Sequence, residues 1–255
     1  MRKLLIAGNW KMNHAVAATV DFCRDLRSLG LEGQRAEVLL FPPFTSIAAM
    51  VSLLQGTPVH VGGQNLHQES KGAYTGEISA AMLKEAGCSH VLIGHSERRQ
   101  YFHESDAGVN AKTRKALEYG LTPVICIGET LEEREKGVTN AVIKTQLSGA
   151  LEGFAPDAVR KTVIAYEPVW AIGTGLTATP EQAQEVHRYI RKFLAEIAGD
   201  DCAELLRILY GGSAKPDNAE ELLSETDIDG LLIGGASLKA DDFYRIIEIA
   251  DTINK

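Results

Sequence analysis

Eight times along the chain, a short run of apolar or β-branched residues is followed by a stretch with helical periodicity. This alternation limits the available folds more than any other feature of the sequence. The runs are residues 4–9, 37–41, 59–64, 90–94, 123–127, 163–166, 207–210 and 230–233. Their near-continuous apolarity suits strands covered on both faces, as in a parallel sheet flanked by helices. An α/β chain of 255 residues with eight such units fits a closed (β/α)8 barrel better than an open doubly wound sheet of five or six strands. No G-x-G-x-x-G follows the first run, which weakens a dinucleotide-binding fold. No low-complexity segment or linker breaks the pattern, so residues 1–255 read as one domain.

The helical stretches carry readable ends. Thr179-Pro180-Glu181-Gln182 combines an N-cap, a proline at the first helical position and a capping-box glutamine. Thr130-Leu131-Glu132-Glu133 repeats the capping-box pattern, and Gly120 marks a helix stop.

A formal charge of −8 without a basic run argues against nucleic acid as a partner. A protein of this charge that handles an anionic ligand must build positive potential locally. Cys23, Cys88, Cys126 and Cys202 are far apart and form no C-x-x-C pair, so neither a metal nor redox chemistry is signalled. The apolar run after Met1-Arg2-Lys3 is too short for a secretion signal, and no stretch is long enough to span a membrane. A cytoplasmic location is the expectation.

Reactive groups in such a barrel belong at the C-terminal ends of the strands. The first run ends in Asn9-Trp10-Lys11, the fourth in Gly94-His95-Ser96-Glu97 and the sixth in Tyr166-Glu167-Pro168. The seventh and eighth end in Tyr210-Gly211-Gly212-Ser213 and Gly234-Gly235. Each has a plain structural reading: a solvated Glu167, a surface Lys11, a His95 that caps a helix, a Glu97 that pairs with Lys11 or Arg98. Their convergence on one face is what points to chemistry. The glycine turns let backbone N–H groups approach a ligand closely, with helix N-termini behind them, which suits a phosphate.

At these residues the sequence resembles the triosephosphate isomerases over its whole length. The run from Ala165 to Gly175 (Ala-Tyr-Glu-Pro-Val-Trp-Ala-Ile-Gly-Thr-Gly) matches that family's signature. Gly8-Asn9-Trp10-Lys11-Met12-Asn13, Gly94-His95-Ser96-Glu97-Arg98-Arg99, Cys126-Ile127-Gly128-Glu129-Thr130 and Tyr210-Gly211-Gly212-Ser213 follow in the family's order. The resemblance implies a TIM barrel that interconverts dihydroxyacetone phosphate and glyceraldehyde 3-phosphate, in glycolysis and gluconeogenesis, with no cofactor or metal. It implies Glu167 as the carbon base, His95 as the electrophile, Lys11 as the stabilising cation and Asn9 as its neighbour. Gly173, Ser213, Gly234 and Gly235 would hold the phosphate. A dry site is expected to raise the Glu167 pKa, and the helix begun by Ser96 to keep His95 neutral.

Two connections stand out. The polar, glycine-bearing stretch from Gln64 to Glu77 is long for this architecture. It is expected to dock into a second copy of the chain, making a homodimer. By the resemblance, Thr75 would reach the neighbour's Asn13 and His95. Pro168 to Gly175 carries an apolar tip with Trp170 and Ile172, expected as an exposed lid over bound substrate. Two other readings stay open on the residues alone: a barrel acting on another phosphorylated sugar, and a non-catalytic sensor of phosphorylated metabolites. A sensor has no need of a carbon base.

Overall fold

The computed structural model describes residues 2–172 and 177–253. Eight parallel strands close on themselves in sequence order: β1 (Leu5–Asn9), β2 (Glu37–Phe41), β3 (Val59–Gly63), β4 (His90–Ile93), β5 (Thr122–Ile127), β6 (Val163–Tyr166), β7 (Arg207–Tyr210) and β8 (Gly230–Ile233). The sequence places every strand to within a residue at each end. Closure is made by β1 against β8, with Leu5 opposite Gly230 and Gly8 opposite Ile233. Gly230 has a left-handed φ of 147°, and a Cβ there would lie 2.0 Å from the Leu5 carbonyl oxygen, so only glycine fits at this seam.

Side chains alternate along each strand, and this splits the interior into two cores. Leu5, Ala7, Leu39, Phe41, Leu92, Val124, Cys126, Val163, Ala165, Leu209 and Leu232 fill the barrel. The other parity, including Ile6, Leu40, Ile93, Ile125, Ile164 and Ile208, packs outward on the helices. Because the inward row advances by two, it runs out of apolar residues at both rims. Asn9 follows Leu5 and Ala7 at the C-terminal mouth, and Glu167 follows Val163 and Ala165. At the opposite floor, Glu37 precedes Leu39 and Phe41, His90 precedes Leu92, and Arg207 precedes Leu209. The polar ends of the barrel thus come from the same period that builds its core.

The expected helix ends form. Thr130 and Thr179 each make a complete capping box, and Pro180 opens the helix Pro180–Ala198. Gly120 follows the helix Asp106–Glu118 with a left-handed φ of 67°. All four cysteines are buried free thiols.

Candidate active site

A cavity of about 380 Å³ opens at the C-terminal mouth, and Asn9, Lys11, His95, Glu167, Ser213, Gly234 and Gly235 all line it. Gly173 lies outside the described residues, as does the C-terminal part of the expected lid.

Glu167, just beyond β6, is almost fully buried. Its Oε2 accepts the Ser96 backbone N–H at 2.9 Å, and its Oε1 stands 2.8 Å from His95 Nε2. Two glycines pack closely against it, one on its backbone and one on its side chain. A Cβ on Gly128 would sit 1.7 Å from the Glu167 carbonyl oxygen, and one on Gly211 would sit 2.9 Å from its Cγ. Burial pushes the Glu167 carboxyl up, but the His95 ring, the Ser96 amide and the Lys11 ammonium outweigh it and hold the group below the ordinary value. The pKa raised by a dry site, expected from the sequence, is therefore reversed while these partners face the carboxylate.

His95 caps the helix Ser96–Phe102, its Nδ1 accepting the Glu97 N–H at 3.2 Å. A nitrogen that accepts carries no proton, so in this geometry the ring holds its proton on Nε2 and donates it to Glu167. Burial pushes the ring pKa down, yet the charge and hydrogen bond of Glu167, with Glu97 behind, pull it above the ordinary value. The amide that opposes an imidazolium is present, as the sequence suggested. The carboxylate on the other nitrogen, which shifts the balance, was not expected.

Lys11 has a left-handed φ of 52°, unusual for a residue with a side chain. Its N–H donates to Asn9 Oδ1 at 3.0 Å, and its carbonyl accepts from Gln64 Nε2 at 2.8 Å. Gln64 also donates to the Phe41 carbonyl at 2.9 Å, tying the exits of β1 and β2 together. Lys11 Nζ meets Glu97 Oε1 at 2.6 Å, the structural pairing expected for that glutamate.

The two glycine turns line the same cavity beside this polar group. Asn218, in the helix Pro216–Ser224, donates to the Ser213 carbonyl at 3.1 Å and accepts the Lys215 N–H at 2.8 Å, so one side chain braces the first turn. A Cβ on Gly212 would meet Tyr210 Oη at 2.2 Å. Gly234 and Gly235 have room around them, in keeping with a surface left open for a ligand. Sequence reasoning missed Gln64, Ser96 and Asn218 as positioning groups. In the sequence Ser96 stands out only as a helix start and Gln64 only as a loop boundary, and Asn218 has only its place two residues after a helix-opening proline.

Trp170 departs from expectation. It is half-buried rather than exposed, and its Nε1 donates to Glu129 Oε1 at 2.9 Å. That buried oxygen also receives the Tyr166 hydroxyl at 3.1 Å and Arg134 Nη1 at 3.2 Å, with the Arg134 guanidinium 4.7 Å from the centre of the Trp170 ring. The start of the connection after β6 is thus tied to the exit of β5. An apolar residue that looks stranded in a loop is here packed from beneath, because a polar partner buried under it accepts its N–H.

Comparison with known proteins gives one consistent answer. The family model for triosephosphate isomerase matches residues 4–250. A triosephosphate isomerase of Alkaliphilus metalliredigens is 53% identical over 247 residues, covering 97% of this chain and 99% of the relative. One from Endomicrobium trichonymphae is 50% identical over 248 residues, with 97% and 99% covered. The crystal structure of triosephosphate isomerase from Bartonella henselae superposes with a TM-score of 0.87 at 44% identity, covering 97% of this chain and 98% of that one.

Proposed function

Since the chain belongs to the triosephosphate isomerase family, we propose a residue-by-residue account of how its cavity performs that family's reaction. The protein is an isomerase that interconverts dihydroxyacetone phosphate and D-glyceraldehyde 3-phosphate, a step of glycolysis and gluconeogenesis.

In this account Glu167 leaves Ser96 and His95 and takes a carbon-bound proton of the substrate, then returns it to the neighbouring carbon. The electron pair released from the C–H bond moves onto the carbonyl oxygen and gives an enediolate. His95 Nε2–H and the Lys11 ammonium, with Asn9 beside it, stabilise the charge that develops there. Once Glu167 has turned away, its upward pull on the ring is gone, and burial and Lys11 favour the neutral ring against the remaining pull of Glu97. A neutral ring can give a proton to one oxygen and recover it from the other. Ser213, Gly234 and Gly235 hold the phosphate; the resemblance adds Gly173, which lies outside the described residues. Phosphate contacts remote from the reacting carbons supply binding energy that orients the substrate. No cofactor or metal enters the scheme.

The single observation that carries the account is that Glu167 and His95, in direct contact, line one cavity together with Lys11 and two glycine turns. Purified protein in a coupled triose phosphate assay tests it. Glu167→Gln, which keeps the shape and removes the base, is expected to lower turnover by roughly 10²–10⁴-fold. Near-parental turnover in that variant would refute the assignment.

The functional unit in this reading is a homodimer made through the connection from Gln64 to Glu77. Residues 71–77 are all exposed, and Met12, Phe44, Tyr74, Tyr101 and Phe102 present apolar surface at the exits of the four adjacent strands β1 to β4. A surface of this kind on one half of the mouth suits an isologous interface. No helix among the described residues is long and apolar enough to cross a membrane. A cytoplasmic site of action goes with the metabolic role, and one domain spanning the chain goes with the closed barrel.

A further inference from the structure

The connection between β1 and the helix Val16–Ser28 holds a second non-glycine residue in the left-handed region. His14 has a φ of 67°, three residues after Lys11. A β-carbon makes this conformation unfavourable, so something must hold the residue there. The ring provides the hold. Its Nε2 lies 3.0 Å from the Leu238 carbonyl oxygen, which can only accept, so the ring donates. The ring also stands edge-on to Trp10, with centroids 4.7 Å apart.

Trp10 repeats the connection one residue away. It is fully buried, and its Nε1 donates to the Ser237 carbonyl at 2.9 Å. Ser237 and Leu238 end the 3-10 turn Gly235–Leu238 that follows Gly234. Ser237 ties the turn back on itself, its hydroxyl donating to the Gly234 carbonyl at 2.7 Å and its N–H donating to the same oxygen at 2.9 Å. Beneath it, β1 comes so close that a Cβ on Gly8 would meet Ser237 Cβ at 2.8 Å. Two successive carbonyls at the far end of the glycine turn are therefore each fixed by a ring N–H from the β1 exit.

We propose that His14, acting with Trp10, is a positioning residue for the phosphate seat. It holds the Gly235–Leu238 turn so that the Gly234 and Gly235 amides stay aimed into the cavity. His14 does not line that cavity, so it acts through the turn and not by contact. The inference rests on the reading of Gly234 and Gly235 as phosphate donors, and the test separates the two.

Inorganic phosphate is the probe, titrated into the full chain while the Gly234 and Gly235 amide resonances are followed. Movement of both in the parent is expected; if neither moves, the phosphate seat itself is wrong and this inference falls with it. In His14→Gly, which relieves the backbone and deletes the ring, the phosphate Kd is expected to rise about 5-fold, with KM for triose phosphate rising by the same factor. A fall in kcat alone, or in thermal stability alone, would mean that His14 only supports the fold. His14→Gln, which can return an N–H donor at similar reach and the same backbone cost, is expected to recover most of the affinity. Parental Kd and KM in a folded His14→Gly would overturn the proposal. Should that variant fail to fold, Trp10→Phe, which deletes the other ring N–H, is held to the same outcomes.

Discussion

Glu167 and His95 set each other's protonation, and that coupling can be read out directly. The upward pull on the His95 ring comes from the carboxylate opposite Nε2, against burial. Glu167→Gln removes the charge while leaving the ring as buried as before. The His95 pKa is then expected to fall below its value in the free parent enzyme, measured by a nitrogen-resolved NMR titration. An unchanged value would show that Glu167 does not control the ring. Asn9, Lys11, His95, Glu167, Ser213, Gly234 and Gly235, all in the cavity lining, are named from the sequence because they follow the strands, whereas Lys215, Ala236 and Leu238 in the same lining carry no such signal. The contact between Glu167 and His95 is not legible in the sequence. It depends on a side-chain rotamer and on a Ser96 amide, and neither leaves a trace in residue order. For the same reason the direction expected for the Glu167 pKa is reversed: burial is legible from an apolar context, whereas the opposing partners are visible only in three dimensions.

At the level of strands, the inward-facing row puts an ionisable cluster on the floor of the barrel, far from the cavity. Arg207 Nη1 pairs with Glu37 Oε2 at 2.6 Å, and His90 Nε2 and His60 Nε2 stand 3.6 and 3.9 Å from Glu37 Oε1. Burial pushes the His90 ring down to about 4, helped by His60 and Arg207 and opposed by Glu37. Burial pushes Glu37 up, but Arg207 and the two rings more than offset it, so its pKa is lowered. An unfolded His90 takes its proton near pH 6.5, the folded one only near 4. Between those values the unfolded chain binds more protons, so stability falls as pH drops from about 6.5 and this contribution levels off near 4. The difference is on the order of 3 kcal/mol. Glu37 adds a further loss as pH falls through its own lowered value. Urea unfolding from pH 7 to 4 is expected to show this decline, and His90→Phe to flatten it. A parental slope in that variant would place the titrating group elsewhere. The strands and capped helices were legible because periodicity and end signals are local. The floor cluster escaped notice, although the same alternation that locates Asn9 and Glu167 at the mouth predicts it at the other end of each strand.

For the whole molecule, the exposed residues from Lys71 to Glu77 carry the proposed assembly. Thr75→Glu would place a charge in the middle of the expected interface while touching nothing in its own cavity. Sedimentation at assay concentration is expected to show monomers, with turnover reduced because the neighbour's Asn13 and His95 lose their cover. A variant that sediments with the parent, or a monomer that is fully active, would count against the dimer reading. The seam between β1 and β8 has another consequence, for how the chain is made. Leu5 to Gly8 pair with β2 on one side, but on the other they pair only with residues 230–233, so the barrel's first strand waits for its last. Until then, one side of β1 is an unpaired edge, available to any other extended chain nearby. Arg2 waits as well, since Asp229, which its Nε meets at 2.6 Å, belongs to the same late segment. The final turn of the barrel therefore acts as a clasp, and the nascent protein is most prone to aggregate in the interval before it shuts.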